Sequence, residues 1–223
     1  MSSSSILGQR IPGVVIATVS NINDPENLGR IKVKLPWMGE NYETDWAHVA
    51  VPMAGGNFGF FFVPSVDDEV IVAFDHGDIN HPFILGSIWN KNAKPPGTSD
   101  DAKKKIFRLR TKEGNEILFD DQSNQSNRKL EIRTGSGHCI ILGSEKIEIK
   151  DKNGENSICI DSQGKSVQIE SGNKISIKAP VIEMEATGSM KIKSNMLNVE
   201  SGGVLDLKAT GPMTIQGAIV KIN

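Results

Sequence analysis

Lys174-Ile175-Ser176-Ile177-Lys178-Ala179-Pro180-Val181-Ile182-Glu183-Met184-Glu185-Ala186-Thr187-Gly188-Ser189-Met190-Lys191-Ile192-Lys193 carries the rhythm that decides the fold. Apolar residues come in pairs two positions apart: Ile175/Ile177, Ile182/Met184 and Met190/Ile192. Val167/Ile169 precede them, and Leu197/Val199, Leu205/Leu207, Met213/Ile215 and Val220/Ile222 follow. Each pair begins seven or eight residues after the one before. Side chains two apart in a strand share a face, so every unit offers one narrow apolar stripe. No unit buries that stripe alone; stacking against copies of itself is what makes a core.

Outward from this stretch, the unit boundaries carry turn residues such as Ser171-Gly172-Asn173, Ala179-Pro180, Thr187-Gly188 and Ser201-Gly202-Gly203. Lys146, Glu148, Lys150, Glu170, Lys178, Glu185, Lys191 and Lys193 lie on the opposite, polar face. Upstream, Phe107/Leu109, Ile117/Phe119 and Leu130/Ile132 start the alternation with longer turns between them. A single-chain solenoid needs wider faces than two apolar residues per unit. Three copies wound about one axis fill a thin core with such a stripe. About a dozen layers at about 4.8 Å each give a rod on the order of 55 Å long.

A second unit precedes the repeats. Residues 90–101 (Asn-Lys-Asn-Ala-Lys-Pro-Pro-Gly-Thr-Ser-Asp-Asp) have a Pro-Pro-Gly break and no apolar period, as a linker does. Before it, residues 13–20, 30–35, 46–51, 69–74 and 82–88 read as five short strands, rich in β-branched residues and separated by turn signals such as Asn23-Asp24-Pro25. Five strands without a convincing helix predict a small closed barrel of the OB type. The expected organisation is an arm over 1–11, an OB-fold domain over 12–90, a linker over 91–104 and a β-helical needle over 105–223. The fold class is all-β, and Val167, Ile169, Ile175, Ile177, Met190, Ile192, Leu197, Val199, Leu205, Leu207, Met213 and Ile215 are the expected needle core.

Composition narrows function. With 25 basic and 27 acidic residues the 223-residue chain is nearly neutral, which supplies no whole-chain reason to expect nucleic acid or an anionic membrane. Only 5% of residues are aromatic, lean for one thick core. Cys139 and Cys159 do not amount to a disulfide framework. Residues 1–8 lack a basic stretch followed by a long apolar run, so no signal peptide is expected, and no apolar run is long enough to span a membrane.

The first ninety residues also carry a family likeness. Asp24-Pro25 followed by Leu28-Gly29-Arg30-Ile31-Lys32-Val33-Lys34-Leu35-Pro36-Trp37 resembles a signature of contractile-tail spike proteins. Trp46-Ala47-His48-Val49-Ala50, Gly59-Phe60-Phe61-Phe62-Val63-Pro64, Asp68-Glu69-Val70-Ile71-Val72-Ala73-Phe74, His76-Gly77-Asp78, His81-Pro82 and Leu85-Gly86-Ser87-Ile88-Trp89-Asn90 follow in the family's order. The series is similar to the OB-fold domain of the type VI secretion spike (VgrG) and of phage baseplate assembly protein V. Asp67 departs from the family's usual Gly at one turn. The repeats resemble the intertwined triple-stranded β-helix that follows this domain in the family.

The resemblance implies a homotrimeric central spike of a contractile injection apparatus, a phage tail, tailocin or phage-tail-like system. It implies assembly in the cytoplasm within a contractile particle, delivery outside the cell or into a target envelope on firing, and transient contact with a target membrane. Baseplate and inner-tube components are the implied partners. With no hub domain before the barrel, a separate trimeric hub protein is implied; with no lysozyme insert in the linker, no enzymatic activity is expected. A PAAR-like tip protein is the expected cap on the needle end, at Ile219, Val220, Lys221, Ile222 and Asn223, because open strand edges invite pairing.

No catalytic constellation stands out in the sequence. His48, His76, His81 and His138 are scattered; Asp67-Asp68-Glu69 and Asp120-Asp121 read as solvated turns; no phosphate-cradling loop follows Gly55-Gly56. No cofactor or metal is expected. The competing reading is an OB-fold binding module on a β-solenoid stalk, taking nucleic acid or glycan through Phe58, Phe60, Phe61 and Phe62 and the basic strand Arg30–Lys34. Packing in the core or at a subunit contact is the favoured use of those aromatics, and no nucleic acid is expected.

Overall fold

The computed structural model describes residues 10–39, 42–122, 124, 126 and 128–221. The chain divides into two units, Met1–Asn173 and Lys174–Asn223.

The first unit opens with the expected barrel. β1 (Val14–Asn21), β2 (Lys32–Lys34), β3 (His48–Val49), β6 (Glu69–Phe74) and β7 (Pro82–Ser87) form one sheet in the order β2-β1-β6-β7-β3, while β4 (Ala54–Gly55) and β5 (Phe58–Gly59) make a small separate hairpin. All pairs in the sheet are antiparallel except β3 with β7, where His48 faces Phe83 and Val49 faces Ile84. The two ends of the sheet then meet. Ile31 bridges Ala47 and Lys34 bridges Glu43, with Ile31 N–H donating to the Ala47 carbonyl at 3.0 Å and Ala47 N–H returning to Ile31 at 2.8 Å. That closure removes the free edges and gives the OB strand order. A bulge between Ile71 and Val72 helps the sheet curl.

Alternation fills the barrel. In β6 Val70, Val72 and Phe74 point inward, joined by Ala17 and Val19 of β1, Val33 of β2, and Ile31, Leu35, Ala47, Ile79 and Ile84. Thr44 is buried among them, its hydroxyl accepting the Val33 N–H at 3.2 Å. Of the expected arm, residues 1–9 lie outside the described residues; Ile11 N–H donates to the Gly77 carbonyl at 3.0 Å and its side chain packs on the core.

The expected linker holds a short helix that the Pro-Pro-Gly reading passed over. α1 (Ser99–Lys103) starts from a capping box: Thr98 Oγ1 accepts the Asp101 N–H at 3.2 Å, and the Asp101 carboxylate accepts the Thr98 N–H at 2.8 Å. Arg108 ties back to this turn, donating to the Pro96 carbonyl at 3.2 Å and pairing with Asp101 at 3.4 Å.

The first part of the expected needle also differs from the eight-residue winding. β8 (Ile106–Arg110), β9 (Glu116–Asp120), β10 (Lys129–Arg133), β11 (Cys139–Gly143), β12 (Lys146–Lys150), β13 (Asn156–Asp161) and β14 (Ser166–Ser171) form a seven-stranded meander, each strand antiparallel to the next. Val167 and Ile169 belong to its last strand rather than to a coil. The reason is in the turns. Sequences such as Asp151-Lys152-Asn153-Gly154 reverse the chain within a few residues, with Gly154 N–H donating to the Asp151 carbonyl at 3.2 Å.

The second unit keeps the seven-to-eight-residue period. Bends fall at residues 180, 187–188, 195–196, 202–203, 210–211 and 218, and the segments between them are neither helix nor paired strand. Each segment holds one apolar pair at its second and fourth residues or its first and third. Among the described residues of this unit no two segments pair as strands, and all are exposed. A segment with two apolar residues has neither the width nor the partner within its own chain to close a ladder.

Candidate functional site

Two surfaces of the first unit stand out, both apolar. The larger is one face of the meander. Register places Phe107, Phe119, Leu130, Leu142, Ile147, Ile160 and Val167 side by side in one row across all seven strands. Leu109, Ile117, Ile132, Ile140, Ile149, Ile158 and Ile169 form a second row beside it. Exposure along the rows runs from 36% at Ile117 to 65% at Val167, with only Leu130 falling below that range. An uninterrupted apolar face of this extent is beyond what monomeric soluble domains normally leave in water.

The opposite face is polar and internally neutralised. Arg110 pairs with Glu116 at 3.6 Å and Lys146 with Asp161 at 3.5 Å across strands. Glu131 is buried between Lys129, 2.8 Å away, and Arg133. Burial pushes the Glu131 carboxyl up, but the hydrogen bonds from Lys129 and Arg133 outweigh it together and leave it below the usual carboxylate range. No two like charges stand directly opposite in any of the six ladders.

The second surface lies on the barrel. Leu28, Met53, Phe58, Phe60, Phe61 and Phe62 line an open groove of about 550 Å³. All six are exposed, Phe61 to 82%, so these aromatics are not core in this chain, contrary to one of the two uses expected for them. The β4–β5 hairpin holds them out: Gly59 sits at φ +138° with the Met53 carbonyl 2.5 Å from where a Cβ would stand, and Phe60 N–H donates to that same carbonyl at 3.0 Å.

Asp24 organises the groove's other wall. Its carboxylate accepts the backbone N–H groups of Glu26 at 3.1 Å, Leu28 at 2.9 Å and Arg30 at 3.2 Å, and takes the Arg30 guanidinium through Nε at 3.1 Å and Nη2 at 2.7 Å. The Arg30 hydrogen bond foremost, with those backbone donors, holds the carboxyl far below the usual carboxylate range against a smaller contrary effect of burial. Gly29, inside this turn at φ +71°, receives the edge of Phe61 at 3.2 Å from its Cβ position. The Asp-Pro…Leu-Gly-Arg spacing thus encodes a carboxylate-centred turn whose glycine seats an aromatic ring.

The basic strand is engaged with its own domain. Arg30 is held by Asp24 and by Glu26 at 3.2 Å; Lys32 lies 5.4 Å over the Trp46 ring and 4.0 Å from Glu43. That removes two of the three cations a single-strand groove would use. His81 Nδ1 lies 3.0 Å from Asp78, and His76 lies 3.7 Å from Asp75. Among the described residues no three metal-ligating side chains converge. Cys139 and Cys159 are free, half-buried and on the polar face of the meander. No helix is long and apolar enough to cross a membrane among the described residues.

Of the expected tip residues, Ile219, Val220 and Lys221 are exposed, while Ile222 and Asn223 lie outside the described residues. The expected core residues from Ile175 to Ile215 are all exposed in the single chain and are not brought together by it. Sequence reading missed the Asp24 network. The Asp-Pro turn signal marked its place, but its chemistry depends on three backbone donors that no side-chain pattern reveals.

Comparison with known proteins agrees with the barrel. Residues 15–89 match the type VI secretion system/phage-baseplate injector OB domain. The chain is 33% identical over 128 residues to the actin cross-linking toxin VgrG1 of Vibrio cholerae serotype O1 (strain O395), covering 52% of this chain and 12% of that protein. It is 34% identical over 128 residues to the type VI secretion system spike protein VgrG3 of Vibrio cholerae serotype O1 (strain N16961), covering 51% and 12%. Over 134 residues it is 32% identical to the spike protein VgrG2a of Pseudomonas aeruginosa, covering 54% and 16%. The chain spans less than a fifth of the length of these relatives. The chain thus carries an injector OB domain over residues 15–89 and is similar over about half its length to VgrG spike proteins.

Proposed function

We propose that this protein is a structural spike of a contractile injection apparatus, acting as a homotrimer and without catalysing a reaction. One observation carries the proposal: fourteen apolar side chains in two unbroken rows cover one face of the meander and are left in water by the single chain. Three such faces turned toward a common axis bury one another as a prism, each aliphatic side chain contributing about 1.5–3 kcal/mol when fully withdrawn from water. The repeats of the second unit form a winding needle of their own, with Ile175, Ile177, Met190, Ile192, Leu197, Val199, Leu205, Leu207, Met213 and Ile215 facing in. The names of the relatives, spike proteins of type VI secretion systems, support this reading.

In this proposal the barrel forms a collar toward a separate trimeric hub at the end of the inner tube. Its aromatic groove is the subunit-contact surface of that collar. Residues 219–223 receive a PAAR-like tip protein. The particle assembles in the cytoplasm and the spike leaves with it on firing, touching the target membrane in passing. The sheath supplies force and the spike transmits it, because buckling a continuous ladder means breaking many hydrogen bonds together.

Light scattering on the purified full chain tests the proposal. The expected mass is three times 24.2 kDa, persisting in mild detergent. A mass of one chain overturns the shared core and returns the repeats to a single-chain solenoid.

A further inference from the structure

The segments of the second unit carry a charge sequence that the apolar period does not require. Each reads apolar–x–apolar–y. The y positions are Lys178, Glu185, Lys193, Glu200, Lys208 and Gln216; the first five alternate in sign, Glu170 of β14 holds the same place one unit earlier in sequence, and the neutral Gln216 follows the charged run. The x positions are Ser176, Glu183, Lys191, Asn198, Asp206 and Thr214. In an extended segment x and y share the face opposite the apolar pair, and the ion pair between Asp206 and Lys208 shows them doing so.

We infer that this row sets the register between copies of the chain, seating each segment of one copy beside the next segment of its neighbour. The inference rests on the trimer proposed above. With a one-segment offset and segments in step, Lys178 meets Glu185, Glu185 meets Lys193, Lys193 meets Glu200 and Glu200 meets Lys208. The x row agrees, with Glu183 on Lys191 and no like charges adjacent. A two-segment offset sets Lys178 against Lys193 and Glu185 against Glu200. A three-segment offset, the layering of a single-chain three-sided coil, satisfies the y row but sets Glu183 against Asp206. Only the one-segment offset leaves both rows free of like pairs.

The meander obeys the same rule where the ladders are visible: each strand lies beside the next, and no like charges oppose one another. Its hairpins pair strands antiparallel within the chain. Past Asn173 the bends recur every seven or eight residues without hairpins, so in-step neighbours must come from elsewhere. The apolar stripe cannot choose between offsets, because every unit presents the same two-residue face. Opposite-charge pairs across strands are worth roughly 0.2–1 kcal/mol each and like pairs cost as much, so only a repeated row has the weight to fix the offset.

Two full-length variants test this. In the inverted chain, Glu170, Lys178, Glu185, Lys193, Glu200 and Lys208 are each exchanged for the opposite charge (E170K, K178E, E185K, K193E, E200K, K208E), which preserves the alternation and the net charge. It is expected to form a trimer by itself, as wild type does. Co-expressed with wild type under a different tag, it is expected to sort, with mixed trimers depleted about tenfold below the statistical distribution at low salt and recovering as salt rises. The permuted chain E185K/K193E, of unchanged composition, is expected to dissociate at lower temperature than wild type. Statistical mixing, an inverted chain that does not trimerise, or a permuted chain as heat-stable as wild type would each overturn the register assignment while leaving the trimer intact. A wild-type chain that is itself monomeric would instead remove the trimer on which the assignment rests.

Discussion

Arg30 grips both carboxylate oxygens of Asp24, Nη2 lying 2.7 Å from Oδ1 and Nε 3.1 Å from Oδ2, at the entrance to β2. Six residues of loop are thereby folded around one anion, since the same carboxylate also receives three backbone N–H groups. An ion pair in this setting is more than a surface bridge: it fixes the strand that closes the barrel through Ile31 and Ala47.

Asp24→Asn is therefore expected to lower the thermal midpoint of the barrel and to change its acid response. A carboxyl held below its ordinary value stabilises the fold in full above the unfolded value of about 4. That contribution drains away as the pH falls below about 4 and is gone once Asp24 itself protonates in the fold. Between pH 5 and 8 the gap between wild type and the variant is expected to be constant, and below about pH 4 it is expected to narrow. Thermal melts across that range check it; a gap that widens in acid contradicts the assignment.

Gly29 tests the turn from the other side. At φ +71°, with the Phe61 ring at 3.2 Å from its Cβ position, it meets two separate obstacles to a side chain. Gly29→Val is expected to cost about 1–3 kcal/mol in backbone strain alone, with a further loss from displacing Phe61. Pairing it with Phe61→Ala is expected to recover the second part and not the first. Denaturant titration of the three variants separates the two contributions.

How far these features could be read from sequence follows the reach of each signal. Residues 69–74 were expected as a strand and form β6 because β-branched alternation there is dense and uninterrupted. Residues 46–51 shrink to His48–Val49, since barrel closure at Ala47 is made by an isolated bridge that no propensity records. The helix after Thr98 hid behind Pro95-Pro96-Gly97, and its Asp at the third helical position is a less familiar partner in the capping box. The meander's sequence reads as winding for a physical reason. Hairpins and corners impose the same two-residue alternation, so Ile132 facing Ile140 across a hairpin looks in sequence like any neighbouring pair. The groove's aromatics were legible as a cluster, but their exposure depends on the short β4–β5 hairpin, which has too few residues for a periodic signal.

The rows of the meander make a prediction at their centre. Ile132→Asp or Ile140→Asp sets a carboxylate in the middle of a face proposed to be buried between copies. Such a variant is expected to lose several kcal/mol of association and run as a smaller species in sedimentation, with the barrel still folded. Ile175→Asp with Ile192→Asp is expected to disrupt the needle and spare both barrel and meander. An intact trimeric rod from either variant would exclude the inward orientation of that face.

The far end of the chain supplies the last prediction. In the proposed needle, Ile219, Val220 and Lys221, all exposed, belong to the layer after Met213 and Ile215, where the proposed tip contact lies. A strand edge is a template for another strand, so a partner that adds its own backbone to this layer gains hydrogen bonds. Deleting residues 219–223 removes that layer and exposes the next, built on Met213 and Ile215. The trimer is expected to survive, because the buried rows below are untouched, while capture of a PAAR-like tip protein in a pull-down is expected to fall below detection. If the shortened trimer still binds the tip, recognition does not reside in these residues and the collar becomes the surface to examine.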